Sequence, residues 1–213
     1  MLLDTIMGLK FIPEKFVPVI TYYPEHANST FEELIIDPLI HDNSEFVSSL
    51  HFVPQIGQKF TDRFKNAFKY VFQDLKLSSA LIIGSDTPHI QPSLLLTAIH
   101  ILQENSQNSV LGPSQEGGFY LLGHNEPYLE NIDSIFHQNN SYKELGNAMD
   151  LLLNVTDVHI LPEVTDVDQF EDLKTVRSII KILSFNYERG KIEYFPEHTF
   201  KLIDSVAPNI WVS

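Results

Sequence analysis

Apolar residues along the chain fall into two kinds of run, and their alternation predicts the elements. Residues 58–76 repeat Phe60, Phe64, Ala67, Phe68, Val71, Phe72 and Leu75 at helical spacing, which predicts an amphipathic helix with a core-facing aromatic stripe. Residues 80–83 (ALII) form a short continuous apolar run closed by Gly84 and Ser85, the pattern of a strand buried on both faces. Residues 16–23 (FVPVITYY) are β-branched and aromatic and predict a strand, placed at an edge or carrying a bulge because of Pro18. Weaker strands are predicted at 48–53, 108–112, 118–123 and 158–161, and further helices at 1–10, 92–103, 141–155 and 170–183. A helix also starts after Ser29-Thr30, where Glu32 and Glu33 fill the first turn, and Ser141 with Glu144 makes a capping box. Strands alternating with helices predict a three-layer α/β/α sandwich with a mostly parallel sheet. Residues 1–183 form that domain, and 184–213 form a C-terminal extension packing on it.

Composition narrows the class. The 213 residues suffice for one sizeable core, and no apolar run is long enough to span a bilayer. With no Cys, disulfides and thiolate metal sites are excluded, and a cytoplasmic location is compatible. The net charge of −14, from 14 basic against 28 acidic residues, argues against nucleic acid as a partner. A phosphate ligand would need its positive charge from a metal, helix N-termini and backbone N–H groups.

Three stretches carry candidate chemistry. Asp86, in Gly84-Ser85-Asp86-Thr87-Pro88, falls just past the carboxyl end of a central strand, where open α/β sheets bind ligands. A carboxylate there suits a divalent cation and hence a phosphate-bearing substrate, and equally suits an N-cap or a turn. Glu116 precedes Gly117 and Gly118, a pair that lets backbone approach a ligand and that also fits a tight turn. Asp166 and Asp168 stand at alternate positions before a helix, able to supply a metal ligand and a cap.

These stretches, in their order and spacing, resemble the GT-A-type glycosyltransferase-like family of radical-SAM/selenodomain-associated transferases. The resemblance covers about residues 1–176. It rests on LIIGSDTPHIQPSLL at 81–95, VLGPSQEGGFYLLG at 110–123 and TDVDQFEDL at 165–173, with weaker support from MLLDTI at 1–6 and PQIGQKFTDRFKNAF at 54–68. It implies a GT-A nucleotide-diphosphosugar-transferase fold. It places Asp86 and Asp168 as holders of Mg²⁺ or Mn²⁺, and Gln55, Gly57, Arg63, Ser85, Thr87, Gly117, Gly118 and Phe119 around a nucleotide or substrate. Glu116 stands at the transfer site, where the family more often has Asp.

The chain departs from the family in three places. The family's initial apolar strand and its loop of the type Lys-x-Pro-x-Pro-Gly-x-Val-Lys-Thr-Arg-Leu have no counterpart in these residues. Asn139-Asn140-Ser141 replaces Trp-Ser-Thr at a helix start, and residues after about 177 extend past the family's usual end. Without that strand, the strands at 16–23 and 80–83 would flank a slot, which residues 208–212 (PNIWV) are expected to fill. The expected function is a metal-dependent transferase acting on a nucleotide-sugar, with a homodimer compatible. The alternatives are a non-catalytic GT-A-fold protein with a binding or regulatory role, and a nucleotidyltransferase.

Overall fold

The structure is a computed structural model and describes residues 1–137 and 143–210. In chain order it contains α1 (Leu2–Gly8), β1 (Val19–Tyr22), α2 (Asn28–Phe31), α3 (Asp37–Ser48), β2 (His51–Pro54), α4 (Phe60–Lys69), β3 (Ser79–Ile83), α5 (Pro92–Glu104), β4 (Asn108–Pro113), β5 (Phe119–Asn125), α6 (Glu144–Leu153), β6 (Asp157–Ile160), α7 (Asp172–Glu188) and α8 (Glu197–Ile210). Five-residue π turns, Glu32–Ile36 and Tyr70–Asp74, join α2 to α3 and end the α4 helix. Ser141, the expected capping residue of α6, lies outside the described residues, as do Asn139, Asn140, Trp211 and Val212.

The strands form two sheets. β1 pairs with β2 in parallel, and the other four run in the order β3-β5-β4-β6. Within the larger sheet β5 is antiparallel to both β3 and β4, while β4 and β6 are parallel. The fold is therefore mixed α/β with small sheets, where a mostly parallel sheet was expected. The cause is the link between β4 and β5. Only residues 114–118 join them, which is hairpin length, and a parallel return needs a dozen residues or more.

Apolar residues on alternate strand positions face two helical layers. Leu111 and Leu122 join Phe64, Phe68, Phe72, Ala148 and Leu152 on one face, from α4, its π turn and α6. Val110 and Leu121 join Leu95, Ala98 and Leu102 of α5 on the other. The aromatic stripe of α4 is thus core: Phe68 is fully buried against Phe64 and Phe72. A separate cluster of Ile6, Ile20, Leu39, Val47 and Leu50 holds β1 and β2 to α1 and α3.

The C-terminal segment is helical where a replacement strand was expected. Residues 208–210 end α8, which packs on α7 and α1. Its start is capped from the other end of the chain: the Asp4 carboxylate accepts the backbone N–H groups of His198, at 3.1 Å, and Thr199, at 2.6 Å. The Tyr194 hydroxyl donates to the carbonyls of Asp4, at 2.7 Å, and Pro88, at 3.1 Å. These bonds fix the start of α8 as a helix packed on α1.

Candidate functional site

Asp86 is held where a turn residue would not need to be. The strand β3 ends at Ile83, and residues 84–91 cross to α5. The N-cap of α5 is Gln91, with Pro92 at its first turn, so the Asp86 carboxylate caps no helix. It lines a cavity of 1480 Å³ between the two sheets. Gly84 makes room for it, since a Cβ there would stand 2.5 Å from Asp86 Oδ1.

The second acidic stretch is carried onto Asp86 by the backbone. The N–H of Val167 donates to the Asp86 carbonyl at 3.1 Å, and Val164 extends the sheet through a parallel bridge with Ser114. Asp166 and Asp168 flank Val167 and line the same cavity. Asp168 is not the cap of α7. Instead its own N–H and that of Gln169 are bound by the Asp172 carboxylate, at 3.1 and 2.7 Å, which leaves the Asp168 side chain free to face the cavity.

The electrostatics record this convergence. Burial raises the Asp86 carboxyl above the ordinary carboxylate range, opposed by its own backbone N–H and reinforced by Asp166 and Asp168. Asp168 is raised too, by desolvation first and then by Asp166, Asp172 and Glu116. A carboxylate raised by burial and by neighbouring like charges would be stabilised in its charged form by a cation placed beside it. Among the described residues no three His, Cys, Asp or Glu side chains converge as a complete cage. Such a place suits a cation that takes one or two carboxylates and completes its shell with phosphate and water, which is how Mg²⁺ is commonly held.

The remaining expected residues divide into those at the cavity and those beside it. Gln55, Arg63, Ser85, Glu116, Gly118 and Phe119 line it. Gln55 donates to the Thr21 hydroxyl at 3.0 Å, bridging β2 to β1. Arg63 lies over the Tyr23 ring at 4.0 Å, donates to the Gln58 carbonyl and keeps a buried Nε without a partner. Phe119 joins Phe64 and Phe136 in an aromatic wall. Glu116 is exposed and takes a left-handed backbone, φ 62°, that follows from the tight turn into Gly117.

Gly57, Thr87 and Gly117 do not line the cavity. Gly57 (φ 129°) and Gly117 (φ 83°) serve the close packing of their turns, since a Cβ would meet Asp62 at 2.6 Å and Lys143 at 2.8 Å. Thr87 is fully buried, with its hydroxyl unpartnered.

Sequence reasoning passed over Ser114, Lys143 and Asn147, which also line the cavity. Asn147 had a signal: it is a polar residue at a core position of an apolar helix. It donates to the Ile135 carbonyl at 2.8 Å, while its buried Oδ1 has no partner.

Residues 15–138, more than half of the chain, match the family model described as "Uncharacterized protein conserved in bacteria (DUF2064)", and the chain belongs to that family. No curated protein matches the chain. A structure described as a candidate nucleotide-diphospho-sugar transferase from Desulfovibrio desulfuricans G20 is similar over 96% of this chain and 79% of that one, with TM-score 0.72 and 21% identity. A cytidylyltransferase from Leptospira borgpetersenii serovar Hardjo-bovis (strain JB197) is similar over 100% and 87%, with TM-score 0.58 and 13% identity. A 4-diphosphocytidyl-2C-methyl-D-erythritol synthase is similar over 84% and 88%, with TM-score 0.55 and 12% identity. At these identities the likeness is one of fold, a GT-A-like fold.

Proposed function

We propose that this DUF2064 chain is a divalent-cation-dependent transferase that takes a sugar from a nucleotide-sugar. The observation that carries the reading is that Asp86, Asp166 and Asp168 line one cavity beyond the end of β3, their two stretches tied by the Val167–Asp86 backbone bond, and none of them is used as a helix cap. The fold shared with a candidate nucleotide-diphospho-sugar transferase supports it.

Asp86 and Asp168 are the residues that would hold Mg²⁺ or Mn²⁺, which would supply charge stabilisation for a diphosphate leaving group. Arg63, with its unpartnered Nε, adds a positive group on the cavity wall. Ser85, Gln55 and Gly118 offer neutral hydrogen-bonding groups along it, and Phe119 an aromatic surface.

In the transfer, an acceptor hydroxyl oxygen bonds to the anomeric carbon. The bond from that carbon to the phosphate oxygen breaks, the nucleoside diphosphate leaves with the electron pair, and Glu116 takes the hydroxyl proton.

A second reading is nucleotidyl transfer, favoured by the two cytidylyl-type fold neighbours. There an acceptor phosphate or hydroxyl oxygen attacks the α-phosphorus of a nucleoside triphosphate and pyrophosphate leaves. Products separate the two. With Mn²⁺ and a panel of nucleotide-sugars and triphosphates, release of nucleoside diphosphate supports the first reading and release of pyrophosphate the second. Release of neither, from folded protein, contradicts both.

A further inference from the structure

Where α6 meets the short turn Gln115–Gly117, the cavity wall changes chemistry. The Lys143 side chain lies over Gly117, so close that a Cβ there would stand 2.8 Å from its Cδ. Ser114 lies against the next residue, where a Cβ on Gly118 would stand 2.8 Å from Ser114 Oγ. Lys143, Ser114 and Asn147, one helical turn further along α6, all line the cavity.

The fold leaves the polar groups here unspent. Among the described residues Lys143 forms no ion pair, although Glu144 follows it and Glu116 stands in the turn it covers. With 28 acidic residues against 14 basic ones, that is not for want of partners. Lys143 is also the N-cap of α6 and brings no side-chain acceptor to it. Among the described residues nothing accepts from the first-turn N–H groups of Glu144, Leu145 and Gly146. Ser114 and Asn147 are only 4% and 7% exposed, and Ser114 Oγ and Asn147 Oδ1 have no partner. The Asn147 amide is fixed in orientation, because its Nδ2 donates to the Ile135 carbonyl at 2.8 Å. Its free Oδ1 can therefore only accept.

Each group asks for a different part of a ligand. An ammonium beside the open N–H groups of a helix start favours an anion. The Asn147 oxygen requires a ligand O–H or N–H, and the Ser114 hydroxyl can serve as donor or acceptor. The Phe119 ring, 6.1 Å from that of Phe136, gives the same region an apolar face for a carbon skeleton. Water would pair Ser114 and Asn147 and leave the positive groups without an anion. An anion, hydroxyls and a compact carbon skeleton are found together in a sugar acid or a sugar phosphate.

We infer that this end of the cavity is the acceptor subsite and that the acceptor is a hydroxylated anion of this class. Its charge rests on Lys143 and the start of α6, and one hydroxyl donates to Asn147 Oδ1. Another hydroxyl comes to Glu116, in the turn that Lys143 covers. The role of acceptor rests on the transferase reading above, whereas the ligand class rests on these residues alone.

The test is amide NMR on the full chain with a chelator present and no nucleotide. The probes are glucuronate and glucose-6-phosphate, and the controls are methyl glucoside, acetate and inorganic phosphate. One of the two probes is expected to shift the amides of Gly117, Gly118 and Glu144 to Gly146 together with the Asn147 side-chain amide. It is expected to bind at least about 10-fold tighter than any control. Preference for glucuronate assigns the charge to a carboxylate, and preference for glucose-6-phosphate assigns it to a phosphate. Lys143 is exposed, so its variants should keep the native melting temperature. Lys143→Ala is expected to weaken the better probe about 10-fold and to leave methyl glucoside unaffected, and Lys143→Arg to restore most of the loss. Ser114→Ala should weaken the probe as well.

The inference is overturned by equal binding of methyl glucoside, by shifts confined to other parts of the cavity, by binding unchanged in Lys143→Ala, or by no binding to folded protein. Displacement of the bound probe by Mg²⁺ with a nucleoside diphosphate also overturns it, since that assigns these groups to the phosphates of the donor. Nucleotide binding without probe binding removes this inference alone. Probe binding without nucleotide binding removes the transferase reading and leaves the hydroxylated-anion site in place.

Discussion

The backbone N–H of Val167 donates to the carbonyl of Asp86 at 3.1 Å, and this bond ties the two acidic stretches of the chain together. They are about eighty residues apart in sequence. The Asp172 carboxylate stiffens the far side of the loop by binding the amides of Asp168 and Gln169. Val167→Pro removes the donor. It is expected to cost about 1–2 kcal/mol in denaturant unfolding. It is also expected to let the Asp86 titration fall toward the ordinary carboxylate range as Asp166 and Asp168 move away, measured by carboxyl carbon NMR. An unchanged Asp86 titration would show that the loop is held by other contacts.

Asp86 itself should be a stability cost at neutral pH. Its folded-state pKa is raised, chiefly by burial, so the fold disfavours its charged form. A raised carboxyl is neutral in the fold at low pH and loses stability as pH rises through its folded value. Asp86→Asn is therefore expected to raise the melting temperature at pH 7 and to have little effect near pH 3. The same variant is expected to abolish cation-dependent ligand binding. A lower melting temperature at pH 7 would contradict the electrostatic picture of the site.

His89, two residues beyond Thr87, acts in the opposite pH range. Burial lowers its pKa to about 4, and its Nδ1 has no partner. The unfolded chain binds a proton near pH 6.5 that the fold refuses, so this contribution is present above pH 6.5 and lost as pH falls toward 4. The full loss is on the order of 3 kcal/mol. His124, also buried and lowered, adds to it. His89→Leu is expected to flatten the acid limb of a stability–pH curve by a similar amount. A curve of unchanged slope would show that His89 is solvated in solution.

Tyr194 links the C-terminal segment to the Asp86 loop through Pro88, and to α1 through Asp4. Tyr194→Phe leaves both carbonyls without this donor and is expected to cost about 1–3 kcal/mol. Asp4→Ala removes the cap of α8 and is expected to cost about 2 kcal/mol. Both are read by urea unfolding, and the double variant should show less than the sum because the two residues share one network. Full additivity would mean that the two ends of the clasp act independently.

The parts of the fold legible in the sequence were those written locally. The run at 80–83 with its Gly-Ser-Asp stop located β3 and Asp86, and the seven-member stripe from Phe60 located α4 and its π turn. The exclusion of Asp86 and Asp168 from capping was not local, because it depends on Gln91 and Asp172 taking the nearby backbone roles. The antiparallel β5 was readable in principle from the five residues between it and β4. It was missed because strand–helix alternation elsewhere favours parallel pairing. The capping of α8 by Asp4 could not be read, since its partners stand 194 and 195 residues away.

On the proposed function, the acids at the end of β3 bind a nucleotide-bearing ligand through a divalent cation. The most direct measurement is a calorimetric titration of Mn²⁺ with nucleoside diphosphates and nucleotide-sugars, on the native chain and on Asp86→Asn. Nucleotide binding is expected to require Mn²⁺ in the native chain and to be lost in the variant, while the variant melts at the same or a higher temperature. Binding that persists without Mn²⁺, or survives in Asp86→Asn, or is absent from the folded native chain, would contradict it.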